Sequence, residues 1–277
     1  MKNTKITFIG CGNMGRSLIG GLISNGYNAN EIRGGETDST KAQEIENSFG
    51  IKVYADNSAA AKDAEIVILA VKPQALLETL SNIADQVRQD NCLIISIAAG
   101  IRIQTLENIL GNNHSIIRVM PNTPALIRAG ASSMYANHIV TNLQREMTEE
   151  IMRSVGMAIW LDEEQLMDTV TALSGSGPAY FFLLMEVMEK AAVKLGLPLD
   201  QARLLTLETA LGASKMAINS DVDTATLRHQ VTSPGGTTEQ AINVLLEQGN
   251  FEELLLDALT AAQKRSQEIA ETMGSSK

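Results

Sequence analysis

The 277 residues include only two cysteines, Cys11 and Cys92, too few for a disulfide framework, so a reducing compartment, the cytoplasm, is expected. The three histidines, His114, His138 and His229, are scattered without the spacing of a ligand cluster, and no metal is expected. Cations are scarce as well. The 22 Lys and Arg are outnumbered by 32 Asp and Glu, for a net charge of -10, and no basic cluster is present to neutralise a phosphate backbone, which excludes a nucleic-acid surface. No run approaches the ~18 consecutive apolar residues of a transmembrane helix. The amphipathic segments balance acids against bases on their polar faces, which argues against attachment to a membrane surface. Met1 to Lys5 lead straight into an apolar strand without the apolar stretch of a signal peptide, so none is expected.

What is present falls into two halves. From Ile6 to about Asp162, short apolar runs (Ile6 to Ile9, Ile66 to Val71, Leu93 to Ser96, Ile116 to Val119) alternate with amphipathic segments such as Ser39 to Phe49 and Gln74 to Val87. Apolar runs without polar alternation belong to parallel strands covered by helices on both faces, so residues 1–162 are expected to form a doubly wound α/β domain. Beyond Asp162 the strand signals stop. Helical periodicity continues to Thr272, and residues 163–277 are expected to be all helical. Gly196 and Pro198 end one helix, Asp200 is placed to cap the next, and Ser233-Pro234-Gly235-Gly236 forces a turn. The helix from Ala179 to Leu195 carries Phe181, Phe182, Leu184, Met185, Met188, Ala191, Ala192 and Leu195, an apolar band wider than one stripe. A helical half of roughly 110 residues has few elements to cover it, so a second copy of the chain is the expected cover.

Directly after the first apolar run comes Gly10-Cys11-Gly12-Asn13-Met14-Gly15, followed by a helical pattern through Leu18, Ile19, Leu22 and Ile23. Between a strand and a helix this spacing has a mechanical meaning. Gly10 permits a tight turn, Gly12 lets the backbone approach a pyrophosphate, and Gly15 lets the helix pack close to the strand, with the helix N-terminus facing the phosphates. The second strand, around Ile32 to Gly35, ends at Glu36, about twenty residues after Gly15, where an acid binds the ribose diol. Glu36 alone favours NADH, because a carboxylate repels a 2′-phosphate. Arg33 and Lys41 lie nearby and could counter that repulsion, so NAD and NADP both stay open.

In the helical half, Val231-Thr232-Ser233-Pro234-Gly235-Gly236-Thr237-Thr238 runs into a helical pattern from Glu239 to Gln248, and Thr237 and Gln240 have capping-box spacing. Two glycines at a helix start can expose successive N–H groups where the dipole favours an anion such as a small carboxylate. An ordinary glycine-rich turn is the plainer alternative from these residues alone.

Ser233-Pro234-Gly235-Gly236-Thr237-Thr238 resembles the signature segment of pyrroline-5-carboxylate reductases. Ala70-Val71-Lys72-Pro73, Ser96-Ile97-Ala98-Ala99-Gly100, Met120-Pro121-Asn122-Thr123-Pro124 and Leu173-Ser174-Gly175-Ser176-Gly177-Pro178-Ala179-Tyr180 occur in that family's order, so the resemblance runs from about Lys5 to Glu271. It implies a Rossmann-like doubly wound sheet followed by an all-α dimerisation domain, assembled as a homodimer or larger homo-oligomer. It further implies reduction of a cyclic imino acid to L-proline by NAD(P)H, commonly NADPH. Ile9, Gly10, Cys11, Gly12, Asn13 and Met14 would hold the pyrophosphate and Asn57 the adenosine ribose. Ala70, Val71, Lys72 and Pro73 with Ile97, Ala98 and Ala99 would lie on the nicotinamide side. Gly236, Thr237 and Thr238 would bind the substrate, Thr238 beside its ring nitrogen, and Ser174 and Gly175 would line the same cleft. Gln230 would reach a neighbouring subunit's cofactor. Glu36 departs from the small hydroxyl residue usual in the family, and Asp221, counted with the substrate residues, stands where a longer Glu is also seen.

Two other readings compete. A β-hydroxyacid dehydrogenase shares the opening motif but needs a catalytic lysine in the helical half, and Lys190, Lys194 and Lys215 are not in a glycine-rich setting. A noncatalytic dinucleotide sensor shares only the first motif and leaves the Pro-Gly-Gly-Thr-Thr segment unexplained.

Overall fold

The computed structural model describes residues 4–275. Eight strands form one sheet: β1 Ile6–Ile9, β2 Ile32–Gly35, β3 Lys52–Tyr54, β4 Ile66–Leu69, β5 Leu93–Ser96, β6 Ile116–Met120, β7 Gly130–Ala136 and β8 Gly156–Trp160, in the order 3-2-1-4-5-6-7-8. All neighbours are parallel except β6 and β7. The helices are α1 Asn13–Ser24, α2 Ser39–Phe49, α3 Asn57–Ala61, α4 Pro73–Asp90, α5 Ile103–Leu110, α6 Asn142–Arg153, α7 Leu166–Val170, α8 Gly177–Lys194, α9 Leu199–Ile218, α10 Thr224–Gln230, α11 Thr237–Asn243 and α12 Phe251–Ser275.

The strands β1, β4 and β5 are almost wholly apolar because both of their faces are buried. Ile6 and Phe8 of β1, Ile66 and Ile68 of β4, and Leu93 and Ile95 of β5 enter one core with Leu18 and Ile19 of α1, Ile45 of α2 and Met152 of α6. The alternate residues Ile9, Val67, Leu69 and Ile94 enter a second core with Leu76, Leu80 and Ile83 of α4 and Leu106 of α5. Strand periodicity of two thus distributes one unbroken apolar run between two layers.

The chain forms two compact units, 1–176 with 261–277 and 177–260. The sequence-based boundary at 162/163 falls earlier, where strand patterning ends. The compact division comes later because α7 and the helical turn after it pack with the sheet, and the chain from Ala261 onward belongs to that unit too. A buried ionic cluster holds these late segments. Arg118 of β6, 5% exposed, pairs with Glu164 at 2.5 Å, and Glu164 Oε1 also accepts from the Ile103 N–H at 2.8 Å. Asp168 of α7 is buried, pairs with Arg102, and accepts from the Ser266 hydroxyl of α12 at 2.8 Å. The C-terminal stretch of α12 also seats Ile269 on Gly100, whose φ is +73° and where a Cβ would lie 2.5 Å from Ile269 Cγ2.

In the second unit α8 packs on α9, yet Phe181, Phe182, Leu183 and Leu184 are 61%, 64%, 59% and 45% exposed in the single chain. Two local expectations change. Asp200 lies in the first turn of α9, whose N-cap is Pro198, so its charge faces the helix dipole instead of capping the helix. Thr237 and Gln240 form no capping box: Gly236 is the N-cap, without a side-chain bond, and Glu239 Oε2 instead accepts from the Gly235 N–H at 2.8 Å. Thr237 already has helical backbone geometry, one residue too late to cap.

Burial first, and then the neighbouring Arg102 cation, push the Arg118 pKa down, while Glu164 and, less strongly, Asp168 oppose that shift. Glu164→Ala is therefore expected to destabilise the first unit by about 3 kcal/mol in denaturant unfolding, because it strands a buried cation. Replacing both partners by Met is expected to recover most of that loss.

Candidate functional site

The strand order reverses direction between β1 and β4, and ligands of open α/β sheets bind in the crevice outside the strand ends at such a switch point. Here β1 and β4 run in register, Ile9 opposite Leu69, and the ladder extends one residue further, with the Ala70 N–H donating to Ile9 O at 2.8 Å. Gly10 then turns away with φ +86°, and a Cβ there would lie 2.6 Å from Val71 Cγ1. Gly15 is closed as well, since its Cβ would meet Gly10 O at 2.9 Å. Gly12 is the opposite case: it caps α1, is exposed, and has nothing within 4 Å of a Cβ position. Two glycines close the turn and the third keeps open ground in front of a twelve-residue helix whose first turn carries no acid. Such an arrangement suits a diphosphate.

The other N-terminal candidates lie at the carboxyl ends of neighbouring strands. Glu36 follows β2 directly; its N–H donates to Tyr54 O at 3.0 Å and its Oε1 accepts from the Asp38 N–H at 3.2 Å. Asn57 opens α3, and its Oδ1 is buried without a hydrogen-bond partner against Gly35, where a Cβ would lie 2.4 Å away. Val71 packs against the Gly10 turn, Lys72 caps α4 and Pro73 is its first residue. The loop after β5 carries Ile97, Ala98 and Ala99, with the Ile97 N–H donating to Leu69 O at 3.2 Å. Ser96 Oγ, just before it, is buried and has no partner. The Cys11 thiol is pushed up to about 12, first by burial and then by the Glu36 carboxylate, so it stays protonated and packs.

Ser174 and Gly175 belong to the same unit. They form a π-helical turn from Thr171 to Gly175, in which the Ser174 hydroxyl donates to Val170 O at 3.1 Å. Asn122 holds this turn at the end of β6: its Nδ2 donates to Ser174 O at 3.0 Å while its Oδ1 accepts from the Ala131 N–H at 2.9 Å. Gly175 lies against Met120 so closely that a Cβ would sit 2.4 Å from Cε. In the sequence Asn122 stands in the Met120 to Pro124 block without being marked out; an amide able to donate and accept at once, two residues after the apolar strand β6, is the local signal of this role.

Asp221, Gln230 and Gly236 to Thr238 belong to the second unit. Asp221 is exposed in the turn before α10, and Gln230 is exposed at that helix's last residue. Gly235 has φ +72°, and the Gly236 N–H closes a turn onto Ser233 O at 2.9 Å. Thr237 and Thr238 then open α11, with no side chain capping it. Two polar recesses of about 580 and 460 Å³ share Arg102 and Gln165, and none of the candidates lines them. Among the described residues no group of three His, Cys, Asp or Glu is placed to hold a metal ion.

The switch-point cradle, the unpartnered acceptor of Asn57 and the acid at the end of β2 fit a dinucleotide, and they define a Rossmann-like dinucleotide-binding oxidoreductase fold. Comparison with known proteins narrows the class. Residues 164–269 match the family described as pyrroline-5-carboxylate reductase dimerisation, and residues 5–100 match that described as NADP oxidoreductase coenzyme F420-dependent. The chain is 48% identical to the pyrroline-5-carboxylate reductase of Pseudomonas aeruginosa over 99% of its own length and 100% of that protein. The structure of a pyrroline-5-carboxylate reductase from Coxiella burnetii superposes with a TM-score of 0.92 at 44% identity, covering 97% of this chain and 99% of that one. A Plasmodium falciparum pyrroline carboxylate reductase with NADP bound gives 0.86 at 30% identity, covering 98% and 99%. The chain belongs to the pyrroline-5-carboxylate reductase family.

Proposed function

We propose that this protein reduces 1-pyrroline-5-carboxylate to L-proline with NAD(P)H, as a homo-oligomer in the cytoplasm. The observation that carries this reading is the glycine cradle at the β1–β4 switch point, in a chain that keeps its family's length and block order. Two buried free cysteines agree with a reducing compartment, and no helix among the described residues is long and apolar enough to cross a membrane.

When bound, the reduced nicotinamide supplies a hydride to the imine carbon, while the ring nitrogen keeps the proton that makes it electrophilic. The chain's own residues bind and orient. Gly12, Asn13 and Met14 present the N-terminus of α1 to the diphosphate, and Ile9 to Cys11 shape the turn beneath it. Ala70 to Pro73 and Ile97 to Ala99 face the nicotinamide end, and Asn57 accepts from the adenosine ribose. Gly236 to Thr238 offer backbone N–H groups to the substrate carboxylate, with Ser174, Gly175 and Asp221 as further substrate residues and Gln230 reaching a neighbouring subunit's cofactor. The Thr238 hydroxyl donates to the ring nitrogen while that nitrogen is unprotonated and accepts from it once it carries its proton; a Thr hydroxyl suits such positioning better than acid catalysis. A protonated imine needs no further acid.

The direct test is equimolar oxidation of NADH or NADPH and appearance of proline on addition of the cyclic imine. Oxidation of a 3-hydroxy acid instead, or cofactor binding without turnover, would overturn the reading.

Gly236→Val would place a branched side chain where a bare Cβ already lies 2.9 Å from Ser233 O. It is expected to raise the imine KM at least about tenfold or abolish turnover, with cofactor affinity unchanged in a direct titration.

Phe182→Asp probes the oligomer. Because Phe182 is 64% exposed in the single chain, an acid there leaves the isolated fold intact but would have to be buried in an interface, at a cost of several kcal/mol. Sedimentation is expected to show no monomer at micromolar concentration for the parent protein and predominant monomer for the variant.

A further inference from the structure

We propose that the pocket following β2 selects an unphosphorylated adenosine ribose, so that this enzyme prefers NADH over NADPH, with Glu36 as the selecting residue. The proposal rests on the dinucleotide reading above and concerns only the choice between its two forms.

A 2′-phosphate offers acceptor oxygens and up to two negative charges, so its pocket must supply N–H donors and unengaged cations. The natural donor set is the N-terminus of α2, just beyond Glu36, and carboxylates already occupy it. Asp38 Oδ1 accepts from the Thr40 and Lys41 N–H groups at 3.0 and 3.2 Å, and Glu36 Oε1 takes the Asp38 N–H at 3.2 Å. A phosphate arriving there would meet two carboxylates where it needs donors.

The nearby cations are engaged as well. Lys41 Nζ pairs with Asp38 at 3.4 Å, and Arg16 of α1 pairs with Glu44 of α2 at 2.9 Å. Arg33, on β2 itself, donates to Lys62 O at 2.8 Å, and Lys52 Nζ sits 4.6 Å from the centre of the Tyr54 ring. Arg33 and Lys41 are the two side chains that could have offset the charge of Glu36, and each has a partner. Exposed pairs of this kind are weak singly. Recruiting Lys41 or Arg16 for a phosphate would nonetheless leave Asp38 or Glu44 beside the new anion without its cation, and recruiting Arg33 would break its bond to Lys62 O.

A ribose diol has the opposite chemistry, because each hydroxyl can donate. Two acceptors lie ready beside Gly35: the Glu36 carboxylate, one residue on, and the buried Asn57 Oδ1, which has no partner of its own. A site with acceptors to spare and its donors used up complements a diol. The Plasmodium falciparum relative has NADP bound at 30% identity, so the selection proposed is a property of this chain's own β2–α2 segment.

The experiment is calorimetric titration of NAD⁺ and NADP⁺ into the parent protein, Glu36→Gln and Glu36→Ser, without imine, followed by kcat/KM with both reduced cofactors. The parent protein is expected to bind NAD⁺ at least about tenfold more tightly than NADP⁺. Glu36→Gln keeps an acceptor but loses the charge, and is expected to reduce that ratio. Glu36→Ser is expected to move it more than about tenfold toward NADP⁺, through cofactor KM with little change in kcat. Tighter NADP⁺ binding by the parent protein, or the same ratio in all three proteins, would overturn the proposal while leaving the reductase reading in place. Failure of the parent protein to bind either cofactor would instead remove the dinucleotide reading, and this proposal with it.

Discussion

The candidate cofactor site depends on how closely the chain can pass itself at the carboxyl ends of β1 and β4. A side chain at Gly10 would collide with Val71 and with the backbone of Ala70, and one at Gly15 would strike Gly10 O. Those two contacts bring the first turn of α1 down against the sheet and aim its N–H groups outward over the strand ends. Gly12 contributes by leaving that ground open. An alanine at either closed position would displace α1 and the cradle together, because rigid packing cannot absorb such an overlap locally.

A second layer of support reaches the site from far along the chain. The loop carrying Ile97 to Ala99 ends at Gly100, which Ile269 of α12 covers. Arg102 follows and pairs with Asp168, which Ser266 of α12 also engages. Asp168 is buried, so its charge is tolerable only while those partners remain. The last segment of the chain thereby fixes a loop near the middle of the first domain.

The parts legible in the sequence were those in which composition and geometry agree. β1, β2 and β5 are short apolar or glycine-ended runs whose expected and observed limits coincide, and the Gly10 to Gly15 spacing fixed their context. β7 was not legible, since Ser132 and Ser133 are buried in it and only pairing with β6 and β8 makes Gly130–Ala136 a strand. β3 has three residues, none fully buried, and β8 begins at a glycine whose Cβ would lie 2.0 Å from Gly130 O. Such elements are set by tertiary contact, and no local pattern announces them. The role of Asn122 was hidden for a related reason. A lone amide after a strand reads as a loop residue until Ser174, far away in sequence, is seen to accept its hydrogen bond.

The second unit presents the converse problem, with helices obvious from periodicity but a surface that makes no sense in one chain. Burying a Phe or Leu side chain stabilises by about 1.5–3 kcal/mol, and α8 alone leaves Phe181, Phe182, Leu183 and Leu184 largely in water. Covering the exposed part of four such side chains on each of two copies yields a gross gain of about 7–14 kcal/mol on the same scale, comparable with the cost of association, about 4–15 kcal/mol. The apolar width of α8 is therefore information about assembly, and it also explains how so small a helical unit can do without a core of its own. A helix whose own chain leaves its aromatic residues uncovered presents the kind of face that a second copy can cover.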